Sequence, residues 1–368
     1  MDWPLFWEWI IKSLVLIITF LVGFGYLTYY ERRFLARLQS RLGPNRAGPW
    51  GLMQWMADAV KLIFKEELIP ARAYKLVFFL APVITMVPSI VIAAVIPWGP
   101  SVQVFGRTVT QSVANVNVGV LFLMSIASIA VYGIVLAGWS SNNKYAMMGG
   151  LRSSAQMISY ELTLGLSMVI AILLGNSMSL VEIVEAQRDG WFILVQPVGM
   201  IIFWIATIAE VNRHPFDMPE AEQEIVAGYH IEYSGMKFAL FFMAEYQKMI
   251  AVSAILATLF LGGYLGPGID SFPWLGPVYM LIKIFVMLGI MIWVRASWPR
   301  IRYDRLMSFG WKVLLPLALT VVFITAVGIL LAQEVNPWLM WLIPILSLLA
   351  GWFATLMVDR AIRRKNYA

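Results

Sequence analysis

Five carboxylates, Asp217, Glu220, Glu222, Glu224 and Glu232, stand against a single arginine, Arg213, in the segment VNRHPFDMPEAEQEIVAGYHIEYSG. An apolar stretch long enough to cross a bilayer flanks this segment on each side. Carboxylates are costly beside hydrocarbon, so such a concentration serves protons, cations or a charged partner. Desolvation and like-charge neighbours raise carboxylate pKa values towards working pH, which suits these groups to proton exchange. Of the two histidines in the segment, His214 precedes a proline and reads as a loop or cap residue. His230 reads either as a loop hydrogen-bond partner or as a proton relay.

Three further carboxylates are expected inside the membrane. The 13 residues from Leu162 to Leu174 are too few to cross, so the span around them must take in Glu161. Another apolar stretch ends on Glu210, and a third holds Glu245, Gln247 and Lys248. At 1.5 Å per residue, Glu245 lies roughly 10 Å in from the near end of its helix. A buried acidic cluster continuous with the acidic loop follows. The bland alternative is that each acid pairs with a lysine, Glu245 with Lys248 one turn on or with Lys283.

The elements that must hold these groups are membrane helices. The 368 residues are 60% hydrophobic and 13% charged, against about a quarter charged in a soluble domain. Nine spans are expected, at about 9–29, 77–97, 117–138, 155–175, 192–211, 238–262, 276–296, 313–332 and 338–358. The connections after odd-numbered spans carry nearly all the basic residues, and those after even-numbered spans only Arg107 and Arg188. The positive-inside rule then puts the N-terminus outside and the C-terminus in the cytoplasm. Asp2 and Glu8 stand where a cleaved signal would be basic. The net charge of +6 marks one membrane face and is no nucleic-acid signal.

Segment 50–66 puts Leu52, Trp55, Met56, Ala59, Leu62 and Ile63 on one helical face and Asp58, Lys61 and Lys65 on the other. It reads as an interfacial helix, with GPNRAGP before it as a rigid turn. No strand pattern, internal repeat or domain boundary is visible. With no cysteine, disulfides, zinc thiolates and iron–sulfur ligation are excluded, so any redox centre belongs to a partner or a diffusible molecule. The Trp and Tyr excess is interfacial belt, and the methionines are filler or line an apolar channel.

Four long motifs carry a resemblance. They are YERRFLARLQSRLGPNRAGPWGLMQWMADAVKLIFKE, GWSSNNKYAMMGGLRSSAQMISYE, AEVNRHPFDMPEAEQEIVAGYHIEYSGMKFALFFMAEY and WVRASWPRIRYDRLMSFGWKVLLPLAL. In this order they resemble the family of membrane H subunits of respiratory complex I, the proton-pumping NADH:quinone oxidoreductase. All four lie on the face the charge asymmetry makes cytoplasmic. Departures are minor: Met147 and Met148 for leucines, Ser153 and Ser154 for alanines, Val211 for a threonine, Met218 for a leucine. The resemblance covers a core of eight spans, 1–335, and leaves 336–368 as an additional span and basic tail.

The resemblance implies a single all-α membrane bundle that joins a hydrophilic arm to antiporter-like subunits through small membrane subunits. Quinone, ubiquinone or menaquinone, would pass from the bilayer near span one, the interfacial helix and span six to an iron–sulfur cluster of a partner. FMN and the iron–sulfur clusters would sit in partner subunits. Arg32, Arg41, Asp58, Arg213 and Arg295 would line the quinone cavity. Glu210, Asp217, Glu220, Glu222, Glu224 and Glu232 would form an acidic funnel, with Glu161, Glu245 and Tyr160 leading onward to the antiporter-like subunits. The setting would be a bacterial inner or plasma membrane. The alternatives are the equivalent subunit of a membrane-bound hydrogenase or formate hydrogenlyase, an independent ion-coupled transporter, and a structural scaffold.

Overall fold

Apolar runs inside a bilayer find no water for their amides, so they close their own hydrogen bonds as helices. The computed structural model describes residues 3–104, 107–218 and 228–366. Among them are eight helices long and apolar enough to cross a membrane, plus one shorter apolar helix. In chain order the elements are α1 (Trp3–Leu38), α2 (Gln54–Phe64), α3 (Lys75–Val91), a hairpin of β1 (Val102–Val104) and β2 (Arg107–Val109), α4 (Gly119–Ser140) and α5 (Lys144–Gly175). Then come α6 (Leu180–Glu185), α7 (Phe192–Val195), α8 (Pro197–Glu210), α9 (Gly235–Phe260) and α10 (Leu275–Ser297). The last are α11 (Tyr303–Phe309), α12 (Leu315–Glu334) and α13 (Leu342–Asn366). This is an all-α, multi-pass membrane protein.

Several helices run past the apolar limits. The 36 residues of α1 extend about 54 Å, well beyond the roughly 30 Å of hydrocarbon. Arg32, Arg33 and Arg37 therefore stand on α1 itself, and Lys144 to Ser154 are the first turns of α5. Charge ends an apolar run but not a helix, since Arg, Glu, Leu and Ala all favour helical backbone. Asn143 caps α5, its side chain accepting from the Tyr145 amide at 2.9 Å. At the other end of the chain, α11 runs through a π turn (Gly310–Leu314) into α12.

The fifth expected span is broken. Pro197 has no N–H to donate, and Gln196 before it leaves the helical region at φ −135°, ψ 67°. The buried Gln196 amide fills the break by donating to Thr325 Oγ1 at 2.7 Å. The 14 residues of α8 extend only about 21 Å. They run antiparallel to α5, with Gly199 against Ile170 at one end and the Ala209 carbonyl bonded to Gln156 at the other.

Helix α9 is the centre of the bundle, buried without interruption from Ala251 to Phe260. Helices α1, α3, α8 and α10 pack on it, while α4, α5, α12 and α13 follow outward. Close approach of α3 to α4 depends on Gly133, where a Cβ would fall 2.1 Å from Thr85 Oγ1. The hairpin pairs Val102 with Val109 and Gln103 with Thr108. Its three-residue strands are too short to print an alternation in the sequence, which is why no strand was expected.

Helix α2 buries none of its residues, as an interfacial helix should. Trp55 fills the space over Gly25 of α1, and Asp58 accepts from Arg32 Nη1 at 2.6 Å. Before it, the Trp50 carbonyl accepts from Tyr29 and Arg33 at 2.9 and 2.7 Å. After it, Glu67 meets Lys237 of α9 at 2.7 Å, and the Leu68 amide donates to Ser234 Oγ at 3.0 Å. The surface helix is thus tied to α1 at one end and to α9 at the other.

Candidate functional site

The last turn of α8 decides where the first charges go. Asn212 takes a left-handed φ of 56°, a conformation Asn tolerates, and the Arg213 amide closes on the Ile208 carbonyl at 3.2 Å. The buried Gln156 side chain of α5 donates to the carbonyls of Ala209 and Phe216, both at 2.8 Å. The end of α8 and the start of the acidic loop are therefore held by one amide.

Arg213 sits at a node between three helices. Its Nη1 lies 3.4 Å from Glu31 Oε1 on α1, and its Nε lies 2.5 Å from Glu245 Oε1 on α9. The Tyr246 ring lies under the guanidinium, 4.2 Å from it. Arg295, in the last turn of α10, donates to the same Glu31 oxygen. Glu31, Arg213, His214, Arg295, Met249 and Met291 enclose a small cavity there. Glu31 is only 3% exposed, and two guanidiniums face its carboxylate, the arrangement a buried acid needs to offset its desolvation.

From this node a row of ionisable groups leads into the bundle. Glu210 and Lys248 line two adjoining cavities. The first also takes in Asp217, His230 and Glu245, and the second takes in Glu161. Ser128 of α4 donates to Glu161 Oε1. Lys248 faces Glu245, Glu210 and Glu161, so the groups follow one another as Glu31, Arg213, Glu245, Lys248, Glu210 and Glu161.

The bland alternative, Glu245 paired with Lys248 or Lys283, gives way to an ion pair with Arg213, which the turn after α8 delivers alongside. Lys283 lies beyond the other end of α9 and donates to the carbonyls of Leu261, Gly263 and Leu265 at 2.7, 2.7 and 2.8 Å. Three ammonium protons there satisfy carbonyls orphaned by the helix end.

The other named residues are distributed unevenly. Arg32 and Asp58 pair with each other between α1 and α2. Arg41 is exposed, its Nε donating to Gln39 at 2.8 Å, and it does not reach the node. Tyr160 is fully buried, but its hydroxyl donates to the Leu306 carbonyl at 2.9 Å, one turn before the π turn, rather than joining Glu161. Glu232 accepts from Asn143 at 2.6 Å, at the cap of α5. Glu220, Glu222 and Glu224 lie outside the described residues. Sequence reasoning passed over Glu31 and Gln156, and treated Lys248 only as a partner for Glu245. In YERR, Glu31 has the look of a solvated helix end, and nothing local marks Gln156.

No metal-binding group of three or more His, Asp or Glu occurs among the described residues. Residues 11–326 match the family described as NADH dehydrogenase. The chain belongs to the NADH dehydrogenase family. It is similar to the NADH-quinone oxidoreductase H subunit of Protochlamydia amoebophila, 51% identical over 302 residues, 82% of this chain and 91% of that one. It is also similar to an NADH-quinone oxidoreductase H subunit of Geobacter sulfurreducens, 48% identical over 86% of this chain and 93% of that one. The H subunit of the Thermomicrobium roseum NADH-quinone oxidoreductase is 48% identical over 83% and 94%. Every charged residue of the row falls inside the stretch matched to the NADH dehydrogenase family, and α13 falls outside it.

Proposed function

We propose that this chain is the quinone-site and arm-connecting membrane subunit of a proton-translocating NADH:quinone oxidoreductase. It works without a redox centre of its own, beside partners that carry FMN and iron–sulfur clusters. The observation that carries the reading is the arginine node: Arg213 and Arg295 share Glu31, and Arg213 also holds Glu245 at the head of the buried row. Guanidinium N–H groups can donate to a quinone carbonyl and hold the negative charge that reduction places there. Any such shift draws Arg213 or Arg295 away from Glu31 or Glu245. A buried carboxylate that loses its cation takes up a proton, because desolvation disfavours the bare charge. The disturbance passes through Lys248 to Glu210 and Glu161, towards the antiporter-like subunits, while Asp217, Glu220, Glu222, Glu224 and Glu232 supply protons from the loop.

Quinone reaches the node from the bilayer through the region bounded by α1, α2 and α9. Met56, Ile63 and Phe64 expose apolar surface along α2. The membrane is the bacterial plasma membrane, with the N-terminus outside and the C-terminus in the cytoplasm.

Arg295→Ala tests the node. It should lower quinone-dependent NADH oxidation by about tenfold or more, the loss expected for a hydrogen bond to a charged group. NADH oxidation by an artificial acceptor, which bypasses this subunit, should stay near the parent rate. Equal losses in both assays would point to failed assembly, whereas an unchanged quinone-dependent rate would remove Arg295 from the quinone site. Nickel–iron hydrogenase chains in the purified assembly, in place of flavin and iron–sulfur subunits, would replace the reading altogether.

A further inference from the structure

The membrane half of α1 far from Glu31 borders a second cavity that the charged row does not use. A groove of about 430 Å3 runs between α1, the β1–β2 hairpin and the start of α10, lined by Ile11, Val15, Phe20, Trp98, Trp274 and Leu281. The 19-residue offset from Lys12 to Glu31 on α1 is roughly 28 Å, so the groove's mouth and the arginine node belong to opposite membrane faces. Its walls are almost wholly apolar, which suits an acyl chain.

The mouth of the groove identifies the head group. Lys12 is its one charged lining residue among the described residues, and its Nζ donates to Thr110 Oγ1 at 3.4 Å. Glu8, one turn nearer the N-terminus, pairs with Lys12 at 2.6 Å, and both side chains are partly open to solvent. Moving outward, the order is apolar groove, cation, anion. A phospholipid with an ethanolamine head has the complementary order: acyl chain, phosphate, ammonium.

We propose that the groove binds one acyl chain of a phosphatidylethanolamine, with its phosphate on Lys12 and its ammonium on Glu8. The Glu8–Lys12 pair then opens into two charge-assisted contacts with the head group. Choline lacks the N–H donors that Glu8 accepts from, and phosphatidylglycerol brings no cation to it. Trp98 and Trp274 flank the groove with rings suited to the head-group level.

The test uses the detergent-washed intact complex in phosphatidylcholine nanodiscs, in separate preparations doped with acyl-diazirine probes of phosphatidylethanolamine, phosphatidylcholine or phosphatidylglycerol. Lipid retained after washing is identified by mass spectrometry, so a groove already filled is read directly. After irradiation, peptides covering residues 11–20 and 109–113 should carry the ethanolamine probe several-fold above the other two. Glu8→Gln should bring the phosphatidylglycerol probe up to the ethanolamine level, and Lys12→Met should lower all three. Equal labelling by all probes, preference for phosphatidylglycerol, or absence of label with no retained ethanolamine lipid would each overturn the proposal. So would a long-chain quinone probe that labels these peptides in preference to the lipid.

Discussion

Glu31 offers one buried carboxylate oxygen to two arginines far away in sequence, Arg213 from the turn after α8 and Arg295 from α10. Glu161 is the clearest case for experiment, because Ser128 donates to its Oε1. Glu161→Gln keeps an acceptor oxygen at that place and removes only the titration. The assembled Gln variant should therefore lose both quinone reduction and proton pumping, while Glu161→Asp keeps a measurable share of both. Wild-type pumping by the Gln variant, followed as acidification in vesicles, would take Glu161 out of the mechanism and leave Glu210 and Glu245. The acids themselves were legible as charges where hydrocarbon should be. Glu31 was not, since an acid amid Arg32, Arg33 and Arg37 looks like a solvated helix end. The 100° step of a helix separates neighbours: Glu31 faces the bundle core, while Arg32 meets Asp58 on α2.

At the scale of elements, hydropathy located the apolar cores of the helices and missed their ends. The end of α1 and the start of α5 stay helical beyond the apolar runs because local propensity continues there. The extension of α1 carries Glu31 to its partners, so part of the site rests on helix that a hydropathy window discards. Helix α2 was legible from its two-faced spacing, but its fastening was not. Lys237 meets Glu67 at 2.7 Å and lies 3.9 Å over the Phe79 ring, tying the end of α2 to α9. Lys237→Met should loosen that end. We expect faster tryptic cleavage at Lys65 and Arg72, and a KM several-fold higher for a long-chain quinone delivered through the membrane. A short-chain quinone should be little affected. Unchanged cleavage and an unchanged KM ratio would separate this fastening from quinone access.

For the whole molecule, the question is orientation. Helix α8 runs antiparallel along α5 and is preceded by α7 and the Gln196 break, so we read it as a further crossing beside the eight longer helices among the described residues. One membrane helix, α3, lies between Arg46 and Arg107, which puts the two on opposite faces. Cysteines placed singly at these two positions in this cysteine-free chain should react with an impermeant thiol reagent from opposite sides of the membrane. Reaction of both from one side would overturn this topology, and with it the placement of the acidic loop and of quinone access. The ninth helix adds a flank to the bundle: Ile343 sits over Gly328, where a Cβ would come within 2.3 Å of it, and Ser347 is fully buried. Its Leu348, Leu349, Trp352 and Phe353 are exposed, as a lipid-facing side requires.

The amino-acid sequence alone determined that this protein is a helical membrane bundle, where its apolar stretches lie, and that acids gather in and beside them. Those are properties of composition and short periodicity, carried by residues close together in the chain. Only the tertiary structure decided which cation answers which acid. Residues 31, 213, 245 and 295 come from four separate segments, and their meeting depends on the rotation of α1, α9 and α10 and on the turn at Asn212. Helix rotation is set by packing around α9, and packing is a sum over the whole bundle that no local window contains.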